Sequence, residues 1–231
     1  EAAYRLLHDV YVEAGFIEPQ PSGMRLLLQH ALPTTSTLVA KLDGRVVATV
    51  SLVRDNPLGL PMEKVFDLSR LRSNGERLVE ISSLAIHPAF RRQFGGVLLM
   101  PLFNYLFRYS RDFFGVDRLM LSIYPRHQDF YAALFDAEPV PGSSVETYLG
   151  APASAMSIDT REWVRVHRAR RDALGTVDTW LRYFDELPFV AFVFPQRAFR
   201  KINDPVMTPG TLRYFFRQKT SLFANVSAKA H

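Results

Sequence analysis

The sequence predicts an α/β (α+β) protein in which a mixed, mainly antiparallel sheet carries helices on both faces. Two strand-like runs flank an Asp43-Gly44 turn, which is typical of a β-hairpin. Residues 78–149 then alternate between apolar strand-like runs and helical patterns. We therefore expect one domain at residues 1–155 and a mostly helical C-terminal extension of unknown role at 156–231.

The first part of the chain reads as a helix, a hairpin and a short insertion. Apolar residues at helical spacing predict a helix over residues 1–16. Residues 36–41 and 45–54 form the arms of the hairpin, because Asp-Gly readily supplies the positive φ angles of a tight turn. Residues 55–61 are rich in Pro and Gly and predict an irregular segment, followed by a helix at 63–71.

The central part alternates between strands and helices. Pro88 ends its first strand, because proline cannot donate a hydrogen bond to a sheet. The predicted elements are a strand at Leu78–Ile86, a helix from Arg91 to Phe107, strands at 117–123 and 145–149, and a helix at 128–134. A composition shift follows residues 151–155. The extension beyond it predicts a strongly basic helix at 161–173, helices at 177–184 and 211–223, and an extended run at 189–194.

The amino-acid composition limits the classes of protein to which the chain can belong. The 231 residues are 48% hydrophobic and include 18 Phe, which suits a chain with a substantial core or a slot for an acyl chain. No stretch approaches the roughly 20 apolar residues that span a bilayer, and no signal-peptide pattern opens the sequence, so we expect a soluble, cytoplasmic protein without a transmembrane segment. The absence of cysteine excludes disulfides and a cysteine nucleophile.

The net charge of +5 suits an acidic partner. Nucleic acid is one such partner, but the sequence contains no recognisable nucleic-acid-binding motif, and we expect none to be bound. Acyl carrier proteins are also strongly acidic. Charge alone does not choose between the two.

Glu80 is a lone carboxylate inside an apolar strand. In a partly dry cleft, such a group can serve as a general base toward an attacking amine. Alternatively it is a structural carboxylate paired with one of the many arginines. The sequence leaves both readings open.

A basic, glycine-containing turn follows the same strand. Its residues are Arg91, Arg92, Gln93, Gly95 and Gly96. Unsatisfied N–H groups at a helix start form an anion site, and flanking arginines strengthen it. We expect this turn to bind a phosphate.

This arrangement resembles the acyl-donor site of the GNAT acyltransferase superfamily, in which a strand pairs with the pantetheine arm and a following turn cradles the pyrophosphate. Val97 stands where a small residue is usual, so the turn is degenerate. Over roughly residues 1–155 the chain resembles the bacterial N-acyl-amino-acid synthases, distant relatives of the acyl-homoserine-lactone synthases. Both groups use carrier-protein donors, whose pantetheine carries a single phosphate.

The resemblance implies roles for further residues. Tyr131 takes the position of the tyrosine that protonates the departing thiolate, with Tyr124 as a rival, although Tyr131 equally fits a core position. The backbone at Ser82, Ser83 and Leu84 would bind the donor and polarise its thioester carbonyl.

Arg126 and His127 are candidates for binding the substrate carboxylate, because guanidinium geometry favours that pairing. No metal-ligand spacing is present, and we expect no metal and no tightly bound cofactor.

The expected function is transfer of a long-chain acyl group from an acyl carrier protein thioester to the α-amine of an amino acid, with acyl-CoA as the alternative donor. Two alternatives remain: an acetyl-CoA-dependent N-acetyltransferase, and a catalytically inactive GNAT-like binding module.

Overall fold

The computed structural model describes residues 1–93, 99–175, 179–186 and 207–225. The helices are α1 Ala2–Glu13, α2 Ser69–Ser73, α3 Pro88–Gln93, α4 Leu99–Arg108, α5 Gln128–Phe135, α6 Thr160–Leu174, α7 Thr179–Leu181 and α8 Pro209–Arg213. Short 3-10 helices lie at Leu28–Ala31, Pro61–Lys64, Pro125–His127 and Leu222–Asn225, and π-helical turns lie at Tyr109–Phe113, Arg182–Glu186 and Tyr214–Lys219.

Seven strands form one mixed, mostly antiparallel sheet. They are β1 Thr35–Leu42, β2 Arg45–Arg54, β3 Leu78–Ile86, β4 Arg118–Ile123, β5 Glu138–Pro139, β6 Glu146–Tyr148 and β7 Ala151–Asp159. The order is β1-β2-β3-β4-β7-β5, with β6 paired to one end of β7. Among the strand pairs of the described residues, only β3–β4 is parallel, since the chain crosses over through α3 and α4 between them. The predicted fold class is confirmed.

Several predicted elements match the structure, and others differ. The hairpin forms as predicted, with Asp43 and Gly44 at φ angles of 48° and 76°. The helix predicted at 63–71 is wrong: a 3-10 turn and the short α2 replace it, with irregular chain between them. The strand predicted at 145–149 is the short β6, and the longer β7 follows where the composition indicated only a shift.

The sheet separates two buried clusters. On one face Leu119, Leu121 and Ile158 pack with α4 and α6, where Phe107 and Trp163 meet edge to face at 5.1 Å. On the other face Leu78 and Met120 lie with the segment that follows β2. Successive strand residues face opposite sides, so both clusters come from the same strands. The α1 helix covers a further part of the sheet, because its residues Leu6, Leu7 and Val10 form a buried cluster with Ala85 of β3.

The described parts of the C-terminal extension pack against the rest of the protein. Leu181 and Phe184 are fully buried in the α4–α6 cluster. Asp185 accepts ion pairs from Arg111 at 2.7 Å and Arg168 at 2.6 Å. These contacts fix residues 181–185 against α4, α6 and the turn that follows α4.

Residues 207–225 pack against the N-terminal part of the protein. Phe215 meets Tyr4 of α1 edge to face at 5.4 Å, and Phe216 is fully buried beside Met24 and Leu26. The predicted extended run at 189–194 lies outside the described residues.

Candidate active site

A cleft opens where β3 and β4 part. The two strands pair in parallel from Leu78 with Arg118 to Ile81 with Leu121, and no pair follows in their register. Beyond that point Ser82 and Ser122 line opposite walls of a cavity of about 150 Å³. The cavity therefore exposes strand edges to a bound molecule.

A bulge shapes the β3 wall of the cleft. Ser82 pairs with Ser51 and Ala85 with Thr49, so that Ser83 and Leu84 stand opposite a single residue of β2. Ser83 has a φ of 56°, which is uncommon for a non-glycine residue and turns the backbone locally. Ser82, Ser83 and Leu84, to which the resemblance assigns donor binding, all line the cavity.

Glu80 lies at the buried end of the cleft with only 2% of its surface exposed. Its Oε2 accepts a 2.8 Å hydrogen bond from the backbone N–H of Met62. Burial raises the pKa of Glu80 to about 8, while the Met62 and Ser82 hydrogen bonds oppose that rise. Within the described chain no arginine forms an ion pair with Glu80, so the arginine-paired reading of this residue has no support there.

Both candidate tyrosines line the cleft. Tyr131 of α5 packs edge to face on Phe103 at 6.2 Å, and burial raises its pKa. A phenol of raised pKa stays protonated at neutral pH and can donate a proton. Tyr124 follows β4 at the cleft and stacks at a tilt on Phe16, at 5.7 Å.

Three further polar side chains line the cavity that sequence reasoning missed: Tyr11, Arg25 and Tyr148. The Arg25 guanidinium lies over the Tyr11 ring at 5.0 Å, and its Nε is buried without a hydrogen-bond partner. Burial raises the pKa of Tyr11 to about 12 and that of Tyr148 further still, and both tyrosines interact electrostatically with Glu80 and Arg25. Tyr11 and Tyr148 therefore lie near both Glu80 and Arg25.

The predicted phosphate turn differs from its expected form. Arg91, Arg92 and Gln93 belong to the short helix α3, which begins earlier, at Pro88. Arg91 does not line the cleft: its side chain donates to the Ile86 carbonyl at 2.9 Å and pairs with Glu13 at 3.3 Å.

The other turn positions are described only in part. For Arg92 and Gln93 the structure describes the backbone alone, and Gly95 and Gly96 lie outside the described residues.

Arg126 and His127 lie beside the cleft and do not line it. Arg126 Nε approaches His127 Nε2 at 3.4 Å, and its guanidinium covers the ring of the cleft residue Tyr124 at 4.8 Å. Arg25 is thus the guanidinium that the structure places inside the cavity. Among the described residues no group of three or more His, Asp or Glu side chains could hold a metal ion.

A narrow apolar cavity continues the cleft into the core. It shares Ile81, Phe103, Leu121 and Tyr131 with the cleft and reaches Phe107 and Ile158 beneath the sheet. Its walls carry apolar and aromatic side chains from α4, α5 and three strands. The site thus combines a polar end, an open strand edge and an apolar extension.

Solved structures that share this fold include the following three. FeeM, an N-acyl amino acid synthase from uncultured soil microbes, matches with a TM-score of 0.60 at 24% identity, over 70% of this chain and 91% of that one. BjaI, a CoA-dependent acyl-homoserine lactone synthase solved with SAM and isopentyl-CoA, matches with a TM-score of 0.55 at 19% identity, over 79% and 90%. The acyl-homoserine lactone synthase LasI gives 0.53 at 18% identity, over 69% and 81%.

No curated protein matches the chain in sequence. Among the described helices, none is long and apolar enough to cross a membrane. The family model for the N-acyl amino acid synthase FeeM matches residues 2–159, which include all of the cavity-lining residues. The chain therefore belongs to the N-acyl amino acid synthase FeeM family and is an N-acyltransferase.

Proposed function

We propose that this protein transfers a long-chain acyl group from an acyl carrier protein thioester to the α-amine of an amino acid. The observation that carries the proposal is Glu80, a buried carboxylate of raised pKa at the polar end of a cleft between two parted strands. A carboxylate of pKa about 8 is a far stronger base than an exposed one. Amine deprotonation requires such a base.

In the proposed reaction the neutral amine attacks the thioester carbonyl carbon, a C–N bond forms and the C–S bond breaks. The amine proton passes to Glu80, directly or through a water molecule. Tyr131 donates its proton to the departing thiolate. Backbone N–H groups near the Ser83 bulge polarise the carbonyl oxygen, as donors placed for a developing oxyanion do.

The pantetheine arm is proposed to run along the open edge of β3, where Ser82 to Leu84 line the cleft. Its acyl chain then points into the apolar cavity between Phe103 and Leu121. That cavity holds only about 10 Å³, so a long chain requires these side chains to move apart. The phosphate is proposed to bind near Arg92, Gln93, Gly95 and Gly96.

Carrier protein rather than CoA is the proposed donor because of the degenerate turn and the net charge of +5. Arg126 is exposed beside the cleft and suits an acidic surface. We propose that the reaction takes place in the cytoplasm. Acyl-CoA is the competing donor, since the fold neighbour BjaI is CoA-dependent.

The test is to offer purified protein the same long acyl chain on carrier protein and on CoA, and separately acetyl-CoA, each with a panel of amino acids. The products are detected by mass spectrometry. We expect N-acyl amino acids, with kcat/KM higher for the carrier-protein donor and falling as salt screens the charges. Equal or better use of acyl-CoA would overturn the donor assignment. Product made only from acetyl-CoA would overturn the long-chain assignment.

A further inference from the structure

A second cavity, of about 540 Å³, lies outside the reaction cleft. One wall is the segment after α1, from Ile17 to Leu26, and the other is Arg217 to Leu222 of the C-terminal segment. The family model ends at residue 159, so the second wall lies outside the region that matches the family.

Both walls are held in place by specific contacts. The Ser22 carbonyl accepts a 3.2 Å hydrogen bond from Arg5, and the backbone N–H of Gln20 donates to His8 at 2.9 Å. Thr220 closes its turn on the Phe215 carbonyl at 2.8 Å, and Phe215 packs on Tyr4. The cavity therefore has a built shape.

Charge in this cavity has one sign. The charged residues that line it are Arg25, Arg217 and Lys219, and the described lining contains no acidic residue. Arg217 and Lys219 are exposed near the rim, whereas Arg25 is partly buried. The charged side chains of the cavity therefore attract a carboxylate.

Arg25 lines both cavities, so its side chain lies between them. On the cleft side it faces Tyr11 and Tyr148, which also interact with Glu80. An amino acid whose carboxylate binds Arg25 would place its amine toward Glu80. The unpartnered Arg25 Nε leaves hydrogen-bonding capacity for that carboxylate.

We propose that the cavity between residues 17–26 and 217–222 is the acceptor's route to the reaction cleft, and that Arg25 receives the acceptor carboxylate where the two cavities meet. The proposal rests on the proposed function and deepens it. The acyl donor uses the β3–β4 side, so the two substrates approach from different sides.

The absence of cysteine from the sequence allows a direct test. Ser221→Cys places a single thiol in the cavity wall, which a bulky methanethiosulfonate reagent can modify reversibly. Modification should raise the acceptor KM about tenfold or more, leave the donor KM unchanged, and be reversed by dithiothreitol. Ser73→Cys, at an exposed position of α2 outside both cavities, is the matched control.

A second measurement does not require turnover. The best-accepted amino acid, at saturation, should slow modification of the Ser221→Cys thiol and not that of Ser73→Cys. Unchanged acceptor constants after modification, or an equal rise in the donor KM, would overturn the route. Failure of the unmodified protein to make any N-acyl amino acid would instead overturn the proposed function.

Arg25→Met tests the anchor. The acceptor KM should rise about tenfold to a hundredfold for the free amino acid and little for its neutral carboxamide, because only the carboxylate gains a charge-assisted hydrogen bond. An equal effect on both acceptors would show that Arg25 acts only on the shape of the cleft, and would overturn the anchor.

Discussion

The backbone N–H of Met62 donates a 2.8 Å hydrogen bond to Oε2 of Glu80, linking the segment after β2 to the carboxylate of the cleft. Both residues are almost wholly buried. The bond fixes one carboxylate oxygen, and a hydrogen bond from Ser82 also reaches the carboxylate. Hydrogen bonding favours the charged form of Glu80, but burial has the larger effect and raises the pKa of the carboxyl group.

The first prediction concerns Glu80→Gln. Only ionised Glu80 accepts a proton, so kcat/KM of the wild type should rise with pH, reach half its maximum near pH 8, the pKa of Glu80, and level off above it. Glu80→Gln should lose that limb and about 100-fold or more in turnover. A pH-rate profile of both proteins checks this. Wild-type rates in the variant would remove Glu80 from the chemistry.

The second prediction separates the two tyrosines. Tyr131→Phe should lower kcat by about tenfold or more with little change in either KM, because it removes a proton donor and keeps the aromatic packing. Tyr124→Phe should leave kcat near wild type. The reverse result would assign the acid role to Tyr124.

The third prediction compares Arg91 with Arg92. The Arg91 side chain is already bonded to Ile86 and Glu13, so Arg91→Ala should leave the donor KM within about twofold. If Arg92 binds the pantetheine phosphate, Arg92→Ala should raise the donor KM about tenfold to a hundredfold, with the acceptor KM as internal control. Unchanged donor constants in both variants would remove the turn from the site.

The fourth prediction concerns stability in acid. His30 is buried; its Nδ1 accepts from the Leu27 N–H at 2.9 Å and its Nε2 donates to Ser51 at 3.0 Å. Burial lowers the pKa of His30 from its ordinary value of 6.5 to about 4. Between these values the unfolded chain binds the extra proton, so stability falls as pH drops from about 6.5 to 4.

Glu80 has the opposite effect, since its raised pKa makes the folded state bind the extra proton between pH 4.5 and about 8. Thermal unfolding should therefore be followed in Glu80→Gln. In that variant the loss of stability below pH 6.5 that His30 causes is not offset by Glu80. His30→Gln in that background should flatten the curve, whereas His127→Gln should not. An unaltered pH dependence in the His30 variant would contradict the assignment.

The fifth prediction concerns the C-terminal extension. Phe184 is fully buried against Phe107 and Trp163, so Phe184→Ala should lower the free energy of unfolding by about 3–5 kcal/mol. Leu174→Ala is the control, because Leu174 is 65% exposed and should change stability by less than about 0.5 kcal/mol. Denaturant titration measures both. Equal, small effects would mean that residues 179–186 do not contribute to the core.

Local sequence patterns predicted much of the fold. Asp43-Gly44 specifies its turn through φ angles alone, and the apolar run Leu78–Ile86 is a strand over the predicted residues. The missed strand β7 shows the limit of such signals. Its Ala151 to Ala155 segment resembles a linker in composition, yet the small side chains pair along β4 and β6. Tertiary pairing overrides weak local preference there.

Local pattern predicted the site residues that lie together on one strand, and the family resemblance added Tyr124 and Tyr131, which also line the cleft. Glu80, Ser82 and Ser83 are close in sequence, and the polar residues interrupt an apolar run. Arg25 lies in an irregular segment with nothing to distinguish it from the other arginines. Its position in the cleft depends on how that segment packs against α1, which no local pattern encodes.

The contact of α1 with the C-terminal segment has a consequence for how the chain is made. Glu1 accepts a hydrogen bond from Tyr214, 213 residues later in sequence, and Tyr4 packs on Phe215. At about 5–20 residues per second, α1 waits on the order of 10–40 s for these partners during synthesis. Through that interval the side of Tyr4 that Phe215 covers is open to water, so α1 completes its packing only late in translation.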